Sequence, residues 1–324
     1  MSNSDPEGFT VRPATLDDVS AIYDLFQAHE RVLYSYTDKV RAYVQATYSS
    51  PTLDFAEDTC LVFDQIGRLV GSMLLEQSSF ANFGVTVCVF PPEPGAHLND
   101  YLLSKAVGRA QALIAQAQPS VQVTVDSWVS SIDQESRKSY EQADFREVRR
   151  NWRMEIDLND LPASPAWPQG VELRPFVPQR DDRALFEVLD GAFQDHWGYT
   201  PEEFAEWRSW AIEQADFDPS LYFLAWAGDQ PVGGALCHAG PPGWVNSLAV
   251  ARAFRGRGLG LALLQHAFGA LYWRGLHRVG LAVDAQNLTG ATRLYQRAGM
   301  RKTREYLNMQ RELRAGAHVS ANER

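Results

Sequence analysis

Apolar positions along the chain recur in two periods. Trp244-Val245-Asn246-Ser247-Leu248-Ala249-Val250 is a short apolar run of strand length. Downstream, Leu264, Ala267, Phe268 and Leu271 fall at i, i+3, i+4 and i+7, the spacing of one helix face. Between them lies Arg255-Gly256-Arg257-Gly258-Leu259-Gly260, so the pattern predicts strand, basic glycine loop, helix. Gly67-Arg68-Leu69-Val70-Gly71-Ser72-Met73-Leu74 and Gly228-Asp229-Gln230-Pro231-Val232-Gly233-Gly234-Ala235 each read as a polar turn inside a hairpin. Thr200-Pro201-Glu202-Glu203 reads as a helix start, with Thr200 as cap and Pro201 in the first turn.

The pattern repeats. Val11-Arg12-Pro13 matches Leu173-Arg174-Pro175, Val70-Gly71 matches Val232-Gly233, and Val87-Cys88-Val89 matches Leu248-Ala249-Val250. Leu102-Leu103 matches Leu263-Leu264, Tyr140-Glu141-Gln142-Ala143-Asp144-Phe145 matches Tyr295-Gln296-Arg297-Ala298-Gly299-Met300, and Met154 matches Met309. The matches keep one order, at offsets of 162 residues early and 155 late. Collinear matches of this kind argue for a duplicated domain. The Pro-rich stretch 158–170 reads as a connection. The expected organisation is a first copy over 1–160, a linker at 161–170, a second copy over 171–314 and a flexible tail at 315–324. Each copy reads as strand, one or two helices, a three-strand meander, helix, strand, helix, strand: an α/β fold with a mixed sheet.

A length of 324 residues with 45% hydrophobic content supports two cores. The net charge of −10 argues against a nucleic-acid partner and sets the basic loop apart from its surroundings. Cys60, Cys88 and Cys237 form no C-x-x-C pair, which disfavours a disulfide framework and structural zinc. The start of the chain has no apolar signal core, and no apolar run reaches the ~18 residues that a membrane span requires. These features predict a reduced, cytoplasmic protein with no membrane partner, monomeric or a homodimer.

The loop 255–260 is the first candidate for chemistry. Glycines there let backbone N–H groups approach an anion, and the following helix start adds a favourable dipole. Arg252, Arg255 and Arg257 add positive charge. The loop lacks the Gly-Lys-Ser/Thr ending of a nucleotide P-loop, and its G-x-G-x-G spacing is not that of a dinucleotide fold. Taken alone, it leaves a phosphate site and a solvated surface turn both open.

Two motifs together resemble a known family. Val250-Ala251-Arg252-Ala253-Phe254-Arg255-Gly256-Arg257-Gly258-Leu259-Gly260 is similar to the acyl-CoA loop of the GNAT superfamily of N-acetyltransferases, R/Q-x-x-G-x-G/A after a strand ending in valine. Asn287-Leu288-Thr289-Gly290-Ala291-Thr292-Arg293-Leu294-Tyr295-Gln296-Arg297-Ala298-Gly299-Met300 resembles the second signature, N-x-x-A-x-x-L-Y-x-x-x-G-F. The resemblance covers about 171–313 well and 9–157 weakly, in the manner of tandem GNAT proteins of the mycothiol-synthase type. It implies two tandem domains, each a mixed, mostly antiparallel twisted sheet flanked by helices. It also implies acetyl-CoA as donor and a small amine or amino-sugar conjugate as acceptor. The strand segment Leu248, Ala249 and Val250 would pair with the pantetheine arm. Arg255, Gly256, Arg257, Gly258, Leu259 and Gly260 would hold the pyrophosphate, Arg255 through its side chain. Asn287 would touch pantetheine, or cap a helix. Tyr295 would donate a proton to the departing thiolate, or pack as a buried aromatic.

A base is needed to deprotonate the amine. The strand position where the family often has a carboxylate holds Asn246. Asp195, His196, Glu202, Glu203 and His238 are the remaining candidates; the resemblance implies that Asp195-His196-Trp197 forms the acceptor wall, while Asp195 and His196 also read as a local hydrogen-bonded turn, and a water-relayed proton would need no dedicated base. Trp207 and Trp210 read as core. The first copy departs at the loop, where Glu93, Pro94, His97 and Asn99 stand; Pro94, His97 and Asn99 occupy the places of Arg255, Gly258 and Gly260. It is therefore expected not to catalyse. His29, His266 and His277 lack metal-ligand spacing, so no metal is expected. The alternative class is a non-catalytic acyl-CoA-binding regulatory or interaction protein, and transfer of another acyl group also stays open.

Overall fold

Two mixed runs of six strands, one in each unit, carry the apolar strand segments. The computed structural model describes residues 5–34, 36–37, 41–90, 97–196, 199, 201–214, 217–287 and 289–317. In chain order, the first half contributes β1 (Thr10–Arg12), α1 (Val19–Leu33), α2 (Arg41–Tyr48), α3 (Phe55–Asp58), β2 (Thr59–Phe63), β3 (Leu69–Ser79), β4 (Asn82–Val89), α4 (Leu98–Leu113), β5 (Val123–Ser130), α5 (Gln134–Gln142) and β6 (Arg146–Asp157). The second half contributes β7 (Glu172–Pro175), α6 (Asp182–Phe193), α7 (Phe204–Ala211), β8 (Tyr222–Ala227), β9 (Gln230–His238), β10 (Gly243–Val250), α8 (Leu259–Tyr272), β11 (Arg278–Asp284), α9 (Ala291–Arg297) and β12 (Arg301–Arg314). The element order of the two halves agrees except at α3, where the second half has only a short 3-10 turn, Pro219–Leu221.

The chain divides into two units, and they exchange their last strands. One unit takes the described residues up to Arg150 together with those from Glu305 on; the other takes Asn151–Arg304. The strand order is β1-β2-β3-β4-β5-β12 in the first unit and β6-β11-β10-β9-β8-β7 in the second. Each run thus has five strands from one copy and a sixth from the other. β12 runs antiparallel to β5 from Tyr306 opposite Ser130, and β6 runs antiparallel to β11 from Arg278 opposite Asp157. The segment expected as a linker at 161–170 lies inside the second unit, and 305–314 belongs to the first. Just beyond Arg314, Ala317 bridges back to Val121, so this part of the expected tail is paired; residues 318–324 lie outside the described residues.

The exchange is fixed by burial. Leu307 and Met309 of β12 are buried in the first unit's core with Val125, Val129 and Phe145. Met154 of β6 is buried in the second unit's core with Leu263, Leu281 and Met300. Full burial of a leucine or methionine contributes about 1.5–3 kcal/mol, so each unit depends on its sixth strand. In the second unit α8 buries Leu259, Leu263, Leu264 and Leu271 against the sheet. It ends at Gly275, whose φ of 79° lets Leu276 N–H return to Leu271 O at 3.1 Å.

The repeated Tyr-x-x-x-Gly/Asp-x signature is a helix stop. After α9, Gly299 takes φ 91° and Met300 N–H bonds Tyr295 O at 3.0 Å. After α5, Asp144 takes φ 63° and Phe145 N–H bonds Tyr140 O at 3.0 Å. Both copies therefore reverse the chain by one left-handed residue, with glycine better suited to it than aspartate.

Candidate functional site

The strand-loop-helix pattern read from the sequence is present. β10 pairs in parallel with β11 at two positions, Gly243 with Val279 and Trp244 with Gly280. From there to Val250, the pairing among the described residues continues on the β9 side alone. The other edge of Leu248, Ala249 and Val250 is left open to an extended ligand, the geometry of strand addition. A β-bulge at Asn246, where Val245 faces Cys237 and Ser247 faces Leu236, sits at this divergence. Asn246 is exposed, and its amide has no basic lone pair for proton abstraction.

The open edge runs into a cleft of about 510 Å³. Its walls are the end of α6, the end of β10, the glycine loop and α9, with His196 and Tyr295 both on the lining. Gly256 and Gly258 have φ of 75° and 92°, and a Cβ on either would meet nothing within 4 Å. Glycine is required there for its backbone conformation. Gly258 is the N-cap of α8, so the loop delivers its backbone to the helix's positive end. Gly260 has a different reason: a Cβ there would lie 3.0 Å from the Leu294 side chain, so it sets the approach of α9. Arg293 and Arg297 of α9 join Arg255 on the lining, two cations that the family motif does not single out. The Arg257 guanidinium lies over the Phe254 ring at 5.2 Å.

The Arg255 side chain faces inward to the protein. Its Nε donates to Val250 O at 3.1 Å, Nη2 to Ala192 O at 3.3 Å and Nη1 to Asp195 at 2.7 Å. Arg252 grips the same carboxylate through Nη2 at 2.6 Å and Nε at 3.1 Å. These two guanidiniums hold the Asp195 carboxyl at about 2, well below the usual carboxylate range. A carboxylate so stabilised accepts a proton poorly at neutral pH, which weighs against Asp195 as the base. Sequence spacing gives no hint of this pairing, because the partners lie 57 and 60 residues apart.

His196 is half-buried beside Asp195, its ring edge on Phe193 at 4.6 Å and Nε2 3.5 Å from Asn287 Nδ2. Burial pushes its pKa below the ordinary histidine value, so the neutral, proton-accepting ring dominates at neutral pH. Asn287 is no helix cap. Its Oδ1 accepts from Thr289 N–H at 2.8 Å, and Gly290 caps α9 instead. Tyr295 is 8% exposed, and burial raises its phenol to about 12, keeping it protonated.

Other candidates fall outside the cleft. Glu203 caps α7, which starts at Phe204, so Pro201 precedes the helix instead of opening it. Glu202 accepts from Trp210 Nε1 at 2.5 Å. Trp207 is core as expected, but Trp210 is exposed. His238 ends β9 opposite Trp244. His266 packs between Trp167 and Phe223. Among the described residues no group of His, Cys, Asp and Glu forms a metal cluster, and no helix is long and apolar enough to cross a membrane. Trp197, Gly198, Thr200 and Leu288 lie outside the described residues.

The first unit has the same divergence with different contents. β4 pairs in parallel with β5 at Asn82, Phe83 and Gly84. The strand-end carbonyl of Val89, matching Val250, accepts from His29 Nδ1 at 2.8 Å, and His29 Nε2 contacts Asp133 at 3.0 Å. Tyr140 is 2% exposed and its hydroxyl accepts from Ser127 Oγ at 2.7 Å. His97, matching Gly258, caps α4 with φ −95°. Glu93 and Pro94 lie outside the described residues.

Residues 184–300 match the family model described as "Acetyltransferase (GNAT) family". The mycothiol acetyltransferase of Thermobispora bispora is 37% identical over 167 residues, 47% of this chain and 54% of that protein. The matched stretch is thus about half the length of that relative. The mycothiol acetyltransferase of Stackebrandtia nassauensis is 28% identical over 269 residues, covering 78% of this chain and 82% of its own length. A crystal structure of a GCN5-related N-acetyltransferase from Sphaerobacter thermophilus matches at TM-score 0.88 and 32% identity, over 98% of this chain and all of that one. A tandem GNAT protein from the clavulanic acid biosynthesis pathway shares the fold, at TM-score 0.70 and 15% identity over 95% of this chain and 100% of its own.

Proposed function

The chain belongs to the GCN5-related N-acetyltransferase family, and on that premise we propose that it transfers acetyl from acetyl-CoA to a small amine, in the second unit. The observation that carries this reading is the meeting, on one cleft, of an open strand edge, a left-handed glycine loop at a helix start, His196 and Tyr295. The acceptor class we propose is an amino-sugar conjugate, by likeness to the mycothiol acetyltransferases.

In this reading, pantetheine lies along Leu248, Ala249 and Val250. The N–H groups of 256–260 face the pyrophosphate, which negative phosphates favour at a helix N-terminus. His196 takes the proton of the attacking amine, directly or through water. The amine nitrogen forms a bond to the thioester carbonyl carbon, and the C–S bond breaks. The developing oxyanion is stabilised by a backbone N–H near Leu248. Tyr295 gives its proton to the departing thiolate and is reprotonated by solvent. Asn287 Nδ2 lies 3.5 Å from His196 Nε2, a long contact that this nitrogen gives up when it takes the amine's proton.

The first unit is read as non-catalytic. His97 at φ −95° stands where Gly258 takes φ 92°, and Tyr140 is buried with its hydroxyl on Ser127 instead of lining a cleft. The second reading, a non-catalytic acyl-CoA binder, draws on Asn246 in place of a carboxylate, but His196 supplies a base without it. Thiol release from acetyl-CoA, followed against a panel of amines that includes glucosamine and cysteinyl amino sugars, tests the proposal. Release with at least one acceptor supports transfer. CoA binding with no release across the panel supports the binder.

A further inference from the structure

Asp195 is better explained as part of a latch than as a base. One carboxylate holds two guanidiniums, Arg252 through two nitrogens and Arg255 through one. Arg255 spends its other donors on Val250 O and Ala192 O. Three elements are tied at one point: the end of β10, the last turn of α6 and the turn after it. His196 is in that same turn, closed by its own N–H to Phe193 O at 2.8 Å. A displacement of Asp195 is therefore passed on to His196.

The latch is made to be exchanged. The Asp195 side chain is 30% exposed and those of Arg252 and Arg255 are 60% and 31% exposed, so water and salt reach all three. Exposed ion pairs of this kind are weak. A phosphate pairs with arginine in the same bidentate way as a carboxylate, so it can take the carboxylate's place. The first unit offers the contrast. There the matching strand-end carbonyl is held by His29, a half-enclosed ring backed by Asp133, with no arginine to trade.

We propose that Asp195 is a positioning residue: it holds Arg252 and Arg255 before the donor arrives, and the donor's phosphates compete with it for those guanidiniums. Donor binding then frees the turn at 193–196 and resets His196 for the acceptor. This rests on the reading of the cleft as the donor site.

The test uses CoA itself as probe, with calorimetry and NMR of the histidine rings on the full chain. In the wild type, CoA binds and shifts the His196 signals. In Asp195→Asn, removal of the competing charge lowers the CoA Kd about threefold at low salt, and the gain fades near ~0.5 M salt, where such charges are screened. The His196 signals of that variant start displaced and respond little to CoA. Asp195→Glu, which keeps the charge, moves both readouts back toward wild type. Weaker CoA binding in Asp195→Asn, or a full His196 response in it, overturns the latch while leaving the donor site intact. Failure of the wild type to bind CoA overturns the donor-site reading and the latch with it.

Discussion

At the scale of single residues, the two tyrosines of the repeat separate what sequence can and cannot assign. Tyr295 and Tyr140 occupy the same place before the same helix stop, and both are buried. The difference is that Tyr140 carries a Ser127 partner on its hydroxyl while Tyr295 lines a cleft. Replacing Tyr295 by Phe is expected to lower kcat by at least tenfold, within the usual range for a lost general acid, with the KM for acetyl-CoA within about twofold; steady-state kinetics check both. His196 adds a pH signature. Its pKa is lowered, so the basic form is lost only as pH falls through a value below the ordinary 6.5. The acid limb of kcat/KM should lie below that point, and His196→Gln should remove the limb; an unchanged limb would assign it to another group. The glycine loop, Asn287 and Tyr295 were legible because they fall in local motifs. The Asp195–Arg252–Arg255 cluster was not, because its partners are brought together only by the packing of α6 against β10.

At the scale of elements, the sequence was most informative where a single residue type decides a backbone angle. The run 244–250 became β10, the spaced apolar positions became α8, and both hairpin turns formed around left-handed Gly67 and Gly228. The stops after α5 and α9 were legible for the same reason. The start of α7 was misjudged, because Thr-Pro-Glu-Glu satisfies a cap pattern while the helix begins three residues later, with Glu203 at the N-cap position and no side-chain cap hydrogen bond. The N-caps of α4 and α8 explain why a loop can lose its chemistry while its helix survives: His97 starts α4 at negative φ, whereas Gly258 needs φ 92°. Gly258→Ala therefore introduces about 1–2 kcal/mol of backbone strain with no clash to relieve. We expect the loop to relax to negative φ and turn its N–H groups away, raising the CoA Kd about tenfold with little change in melting temperature. Calorimetry and a thermal melt on the same sample separate this from unfolding.

At the scale of the whole molecule, the repeat was visible but its closure was not. The match of Met154 with Met309 says that β6 and β12 correspond, and that correspondence does not say which core each enters. That depends on the path of the connection after β6, about which local pattern is silent. The consequence is that neither copy is a self-sufficient folding unit, although the sequence divides so cleanly near 160. Leu307 and Met309 are buried in the first unit, and Met154 in the second. Removing residues 305–324 strips two large core side chains and the ladder to β5 from the first unit. Truncation of core side chains costs about 2–5 kcal/mol each, against a total stability of about 5–15 kcal/mol for a domain. The truncated chain is expected to lose the first unit while keeping the donor cleft, whose residues all lie between 192 and 297. Limited proteolysis should cut within residues 5–150 and spare 151–304. The complementary fragment 171–314, which lacks β6, should fail to fold even though it carries the whole family signature. A folded, CoA-binding 171–314 fragment would mean that β6 is dispensable and the exchange incidental.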